Sequence, residues 1–217
     1  MRQPEMIKIY LTSTFLVLSF FCYTNSHAQT DTATKAVANV IVATGQTKAI
    51  SPKNEERKLK RRSPLYIGDK VATGPDGNLQ IRFIDDAVLA LKPDSTVQIN
   101  QYAYNKDTPK QNKSFTTLIK GGFRTITGAI AKGDPNDYKV TTPVAVIGVR
   151  GTNYTALLRG GELFLSVWKG NLRVSNRSGV LRIGRTNKYS HVLVSTDRSR
   201  PEGLVTAPRF IKPRGCP

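Results

Sequence analysis

The stretch from Tyr138 to Tyr154, YKVTTPVAVIGVRGTNY, is the most densely patterned part of the chain and decides the fold. It is rich in valine and threonine, and β-branched residues favour extended strands. Pro143 cannot donate to a sheet ladder, so a strand should end or lie at an edge there. Two glycines, Gly148 and Gly151, enclose Arg150. The pattern predicts strands at the centre of a β-protein.

The chain on both sides of this stretch also has the period of β-strands. Leu79, Ile81 and Phe83 alternate with polar residues, which predicts one buried and one wet face. Residues 74–77 read Gly-Pro-Asp-Gly, a turn sequence, and Gly160-Gly161 is typical of a hairpin. We therefore predict an all-β fold of meandering antiparallel strands. A roll or solenoid-like stack and a two-layer sandwich share this period and stay open.

Arg150 has two interpretations. Its fork of five donors is suited to binding a carboxylate or phosphate through two hydrogen bonds. Alternatively it pairs inside the fold with an acid such as Asp69, Asp85 or Asp86, or with turn carbonyls. We favour the internal pair, because a buried arginine is rarely left unpaired.

The N-terminus has the features of an export signal. Arg2 and Lys8 precede an apolar run over residues 9–23, which is shorter than a spanning helix requires. Small residues at Ser26 and Ala28 predict cleavage between Ala28 and Gln29, with no membrane helix retained. We expect a periplasmic or secreted protein of the Gram-negative envelope. An uncleaved N-terminal anchor is the alternative.

The 217-residue chain carries a formal net charge of +18, which attracts anions. Export argues against nucleic acid as the partner, and no zinc-finger spacing or aromatic-interleaved RNA-binding motif is present. The remaining anionic partners are envelope polymers (peptidoglycan, lipopolysaccharide or phospholipid head groups) and acidic protein surfaces. A basic surface without a specific ligand is equally consistent with the composition.

Two basic segments form the candidate surface for an anion or a partner. One lies within residues 51–63, where a solvated loop is the simplest interpretation. The other is the polar loop 102–114, which we expect to be mobile. The candidate residues are Lys53, Arg57, Lys58, Lys60, Arg61, Arg62, Lys106, Lys110 and Lys113.

Catalysis is not expected. After cleavage His191 is the remaining histidine, and no Gly-x-Ser-x-Gly motif accompanies it. One histidine and one cysteine are too few for a metal site, and we predict no cofactor. The remaining Cys216 permits no intrachain disulfide, but it is either a free thiol or forms an intermolecular bridge. It lies in a proline-rich basic tail, residues 196–217, which we predict to be disordered or to follow the surface.

Several ordered motifs resemble the FecR-type domain of bacterial envelope proteins. They begin with Gly68-Asp69-x-Val71-x-Thr73-Gly74 and include Leu91-x-Pro93-x-Ser95 and Gly122-x-Arg124. The signature that ends the series contains Thr142, Pro143, Gly148, Arg150, Gly151 and Thr152, to which we assign mainly structural roles. We expect the FecR-like domain to span residues 29–195. Where the family has an Asp-Gly-Ser turn, this chain has Asp86-Ala87, so the turn there is expected to differ.

The resemblance implies a periplasmic, non-catalytic module that binds another envelope protein in signalling or assembly. The alternative is a basic binder of an anionic envelope polymer. In well-known relatives this domain relays a signal from an outer-membrane transporter to a sigma factor. This sequence lacks a sigma-binding segment and more closely resembles stand-alone secreted members. Oligomeric state does not follow from the sequence.

Overall fold

The computed structural model of the protein describes residues 35–134 and 136–211, and these residues form an all-β fold. Three short 3-10 turns in this part of the chain lie at Pro109–Gln111, Ile130–Lys132 and Arg209–Ile211. The strands are β1 (Ala38–Thr44), β2 (Thr47–Ile50), β3 (Glu56–Lys58), β4 (Pro64–Leu65), β5 (Lys70–Thr73), β6 (Asn78–Phe83), β7 (Val88–Leu91), β8 (Thr96–Ala103), β9 (Lys113–Lys120), β10 (Gly122–Ile126), β11 (Tyr138–Thr141), β12 (Val146–Arg159), β13 (Glu162–Asn176), β14 (Gly179–Gly184), β15 (His191–Val194) and β16 (Glu202–Leu204).

All sixteen strands of the described residues belong to one sheet, which curls into a half-barrel. Its order is β3-β2-β5-β8-β9-β11-β12-β10-β7-β6-β1-β4, and β13 to β16 branch from β12. Of the predicted all-β forms, the structure therefore adopts the roll. The strands do not form a simple antiparallel meander, because β1 pairs with the distant β6 and β9 pairs in parallel with β11.

The long hairpin of β12 and β13 joins two rows of strands, β3-β2-β5-β8-β9-β11 and β10-β7-β6-β1-β4. The first part of β12 pairs with β11, whereas the second part pairs with β10. Strand β13 follows β12 along its length and pairs on its other side with β15 and then β14. The predicted centre of the fold is thus confirmed as the element that both rows share.

The core lies on one face of the sheet and is built by alternating side chains. Leu79, Ile81 and Phe83 are buried as predicted, while between them Gln80 is half-buried and Arg82 is exposed. In β12, Ile147 and Val149 are fully buried and Arg150 is exposed. This alternation directs the basic residues of the signature strand to the outside.

The part of the predicted tail that lies in the structure is ordered. Strand β16 pairs with β15, and Phe210 contacts Phe164 edge to face with ring centroids 4.9 Å apart. Ile211 is buried. Of the two alternatives, residues 196–211 follow the surface, and the expectation of disorder is wrong for them.

The leader with its cleavage position between Ala28 and Gln29, and Cys216, lie outside the described residues. Among residues 35–134 and 136–211, no helix has the length and apolar character needed to cross a membrane.

Candidate functional site

The loop between β11 and β12 is built by Thr142. Its hydroxyl accepts hydrogen bonds from the backbone N–H groups of Val144 (3.3 Å) and Ala145 (3.0 Å) and lies 2.8 Å from the Ala145 carbonyl oxygen. Pro143 is exposed in the same loop, after β11 has ended at Thr141. These two signature residues therefore shape the entry into β12, as the proline predicts.

A bulge follows Arg150, where the register of β12 against β13 shifts. Gly151 has a φ of +57°, a conformation that glycine adopts without steric cost. The Thr152 N–H donates to the Thr127 hydroxyl at 2.8 Å, and the Thr152 hydroxyl lies 2.9 Å from the Asn171 carbonyl oxygen. Gly151 and Thr152 thus fix the bend of the hairpin.

The expected internal ion pair of Arg150 is wrong. Strand alternation points its side chain outward, and it makes no ion pair or side-chain hydrogen bond within the described part of the chain. Each of the acids considered has another partner. Asp69 pairs with Arg57, Asp86 with Arg82, and Asp85 accepts a hydrogen bond from the Tyr102 hydroxyl at 2.5 Å.

Arg150 lies instead in an open surface hollow of about 620 Å³ together with Arg173 and Arg182. Arg173 lies directly opposite Gly148 in the β12–β13 pair and opposite Arg182 in the β13–β14 pair. Cross-strand partners share a face of the sheet, so these cations project to the same side. The glycine leaves the position beside Arg173 without a side chain. We call this region the arginine hollow.

Sequence reasoning missed Arg173 and Arg182 as members of a site. The signal that places them there is pairing: the Gly160-Gly161 hairpin sets the register of β12 against β13, and the turn at residues 177–178 sets that of β14. None of the nine predicted surface lysines and arginines lines the arginine hollow.

The nine predicted surface cations divide into two groups. Arg57 and Lys113, two residues of the candidate anion or partner surface, are half-buried and form ion pairs with Asp69 and Asp137, so their charges are already matched within the fold. Arg57 also belongs to a short strand, β3, where a loop was expected. The remaining cations are exposed and form no ion pair in the described structure: Lys53, Lys58, Lys60, Arg61, Arg62, Lys106 and Lys110.

His191 is buried, and its Nδ1 lies 2.9 Å from the hydroxyl oxygen of Ser166. Burial lowers the pKa of this imidazole. Ser166 is itself fully buried, so no substrate reaches its hydroxyl in this conformation. Among the residues that the structure describes, no group of three or more histidine, cysteine and acidic side chains is placed to hold a metal ion.

A second buried polar group surrounds Asp85. Its carboxylate accepts hydrogen bonds from the backbone N–H groups of Ala87 (3.0 Å) and Ile130 (3.1 Å), in addition to Tyr102. Burial and the nearby Asp85 charge raise the pKa of Tyr102 far above its ordinary value. The Tyr154 hydroxyl, by contrast, is buried and has no hydrogen-bond partner in the described structure.

The fold and its surface define an all-β module with a basic hollow on the outer face of its central hairpin. Residues 69–173 match the family model described as FecR protein, which confirms the resemblance seen in the sequence. The match is confined to these residues, and the arginine hollow includes two signature residues within them, Gly148 and Arg150.

Comparison with solved structures gives weaker similarities. A cell surface anchoring domain is 30% identical over 30% of this chain and 84% of its own, with a TM-score of 0.29. Two crystal structures of a proposed anti-sigma factor from Parabacteroides distasonis ATCC 8503 are 15% identical over 62% of this chain, with TM-scores of 0.46. The match spans 57% of that protein. TM-scores this low do not define a shared fold. No curated protein sequence matches the chain.

Proposed function

We propose that the chain is a non-catalytic binding module of the bacterial envelope, exported to the periplasm, that docks another envelope protein in signalling or assembly. The FecR domain at residues 69–173 is the observation that carries this proposal, because the family resemblance implies such a role. The export pattern of residues 1–28 supports the location. A fully buried Ser166 beside the sole histidine of the described residues is consistent with a role in binding rather than catalysis.

Strand β14 is the element best suited to docking. Among the described residues it pairs with β13 on one edge and has no strand partner on the other. The other end strands are protected: β3, β4 and β16 have three, two and three residues, whereas β14 has six. Short strands are a common protection of sheet edges, so β14 is the edge most open to another chain.

The side chains beside this edge favour an extended protein segment as the occupant. Val180 is 52% exposed and lies opposite Ser175, which in turn lies opposite the 37% exposed Val146. Val146 and Val180 thus expose two apolar side chains in one row across the outer face, with Ser175 between them, and Val180 lies at the free edge. A partner strand laid along β14 would gain main-chain hydrogen bonds and cover Val180 with an apolar side chain.

The test uses Val180→Lys, with Val205→Lys as the matched control. Val205 is 80% exposed and lies outside the strands, so both variants make the same chemical change on the surface. Full-length protein would be crosslinked in the envelope, and the crosslinked partner identified and titrated. We expect saturable binding that Val180→Lys weakens at least tenfold and Val205→Lys leaves unchanged. Binding that both variants retain would contradict docking at β14, and the absence of any saturable protein partner would contradict the function itself.

The second candidate, a binder of anionic envelope polymer, rests on the exposed cations without acid partners at Lys53, Lys58, Lys60, Arg61 and Arg62. Contacts between exposed charges weaken steeply as salt rises, because the Debye length falls to about 3 Å at 1 M salt. Sedimentation with cell-wall sacculi across a salt series tests it. Retention that is insensitive to salt, or to replacing all five residues with glutamine, would exclude this candidate.

A further inference from the structure

We infer that the arginine hollow is a binding site for a phosphate-bearing anion, held by Arg150, Arg173 and Arg182. This inference goes beyond the proposed function and does not depend on it. No acidic residue lines the hollow, and none of the three guanidinium groups has an ion pair or hydrogen bond in the described structure.

The missing counter-charge distinguishes these arginines from others in the sheet. Arg57, Arg82 and Arg177 each lie against an aspartate. Arg173 and Arg182, in contrast, are direct cross-strand neighbours of the same charge, and such pairs destabilise a sheet. An anion bound between them would remove that repulsion, so the arrangement is more favourable in the occupied site than in the empty one.

The neutral side chains of the hollow add a donor. The Asn171 side-chain oxygen Oδ1 already accepts hydrogen bonds from the Thr186 hydroxyl at 3.0 Å and from the Asn187 side-chain amide at 2.9 Å. Its NH₂ group has no partner within the described residues and can donate to a ligand. The hollow therefore offers guanidinium and amide donors without a competing carboxylate.

The number and kind of donors favour phosphate over a single carboxylate. A carboxylate has two oxygens and one charge, and one arginine fork satisfies it. A phosphate monoester has three terminal oxygens and a charge of about −1.5 to −2 at neutral pH, which matches several guanidinium groups around one centre. The open shape also leaves room for the group that carries the phosphate.

Calorimetric titration of the full chain with glucose 6-phosphate and with glucuronate tests the chemistry, since both probes are glucose derivatives whose anionic group is at position 6, a phosphate ester in one and a carboxylate in the other. We expect the phosphate to bind at least about tenfold more tightly. Arg173→Gln and Arg182→Gln should each weaken phosphate binding about tenfold, which corresponds to losing one charge-assisted hydrogen bond. The double variant Lys70→Gln/Lys120→Gln removes two exposed cations that belong to neither the arginine hollow nor the predicted anion surface, and it should bind like the parent.

Vesicles distinguish the two sources of the phosphate. Arginine-dependent binding to phosphatidate in phosphatidylcholine, without binding to glucose 6-phosphate, would assign a lipid head group, and the reverse would assign a soluble or glycan phosphate. Binding to neither probe, or equal losses in the Lys70→Gln/Lys120→Gln control, would overturn the inference. So would a lowered unfolding midpoint in Arg173→Gln and Arg182→Gln, because a structural role predicts destabilisation whereas a binding site with like charges does not.

Discussion

Arg57 and Asp69 form an ion pair that ties strand β3 to the start of β5. The Asp69 carboxylate is only 1% exposed, and it accepts hydrogen bonds from the Arg57 guanidinium and, at 2.8 Å, from the Tyr66 backbone N–H. The guanidinium also lies over the Tyr66 ring, 5.3 Å from its centroid. A residue of the predicted anion surface is thereby a structural residue.

Arg57→Ala should lower the free energy of unfolding by about 2–3 kcal/mol, because it leaves a buried carboxylate without its charged partner. Arg61→Ala removes the same charge from an exposed, unpaired position and should change stability by less than about 0.5 kcal/mol. Urea unfolding of both variants measures the difference. Equal effects would show that the pair does not stabilise the fold.

Tyr154→Phe and Tyr102→Phe remove the same atom and should have opposite consequences. The Tyr154 hydroxyl is buried without a partner, so its loss should be neutral or stabilise the fold by up to about 1 kcal/mol. The Tyr102 hydroxyl donates to buried Asp85, so its loss should cost about 2 kcal/mol. Thermal unfolding of the two variants decides between this assignment and one in which both hydroxyls are equivalent.

Two glycines at the bend of the hairpin should differ in their tolerance of alanine. A Cβ on Gly151 would meet nothing within 4 Å, so Gly151→Ala should cost only about 1–2 kcal/mol for the left-handed backbone. At Gly170, which has a φ of +82°, the Cβ would lie 2.3 Å from the Gly151 carbonyl oxygen. Gly170→Ala should therefore be the more destabilising by denaturant midpoint, and the reverse order would contradict the observed bend.

Stability should fall on mild acidification because of His191. Its pKa is lowered in the folded state by burial, so the unfolded chain, with a histidine pKa near about 6.5, binds the proton first. The neutral imidazole contributes fully above that pH, and its contribution is lost as the pH falls toward the folded pKa. His191→Gln should flatten the dependence of unfolding free energy between about pH 7 and 5. A parent protein equally stable across this window would refute the assignment.

Local periodicity predicted the strands and the inward residues well, because the alternation of apolar and polar residues can be seen over a few neighbouring positions of the sequence. Leu79, Ile81 and Phe83 are examples, and so is the end of β11 before Pro143. The turn at Asp86-Ala87 was expected to differ through Ala87. The structure instead gives the positive φ of 67° to Asp86, and aspartate tolerates that conformation better than alanine.

The outer face of the hairpin was not predictable in the same way. Arg150, Arg173 and Arg182 come together only through the registers of two successive strand pairs. The period of each strand says which face a residue occupies but not which residue lies opposite. The parallel pairing of β9 with β11 joins segments that are distant in sequence, and it leaves no local signal either.

The continuous hairpin of β12 and β13 has a consequence for cooperativity. One half of β12 pairs with β11 and the other half with β10, and β13 pairs with both halves. Unfolding of either row of strands would therefore disrupt the hairpin on which the other row also depends. Heating should therefore give a single transition whose calorimetric and van't Hoff enthalpies agree.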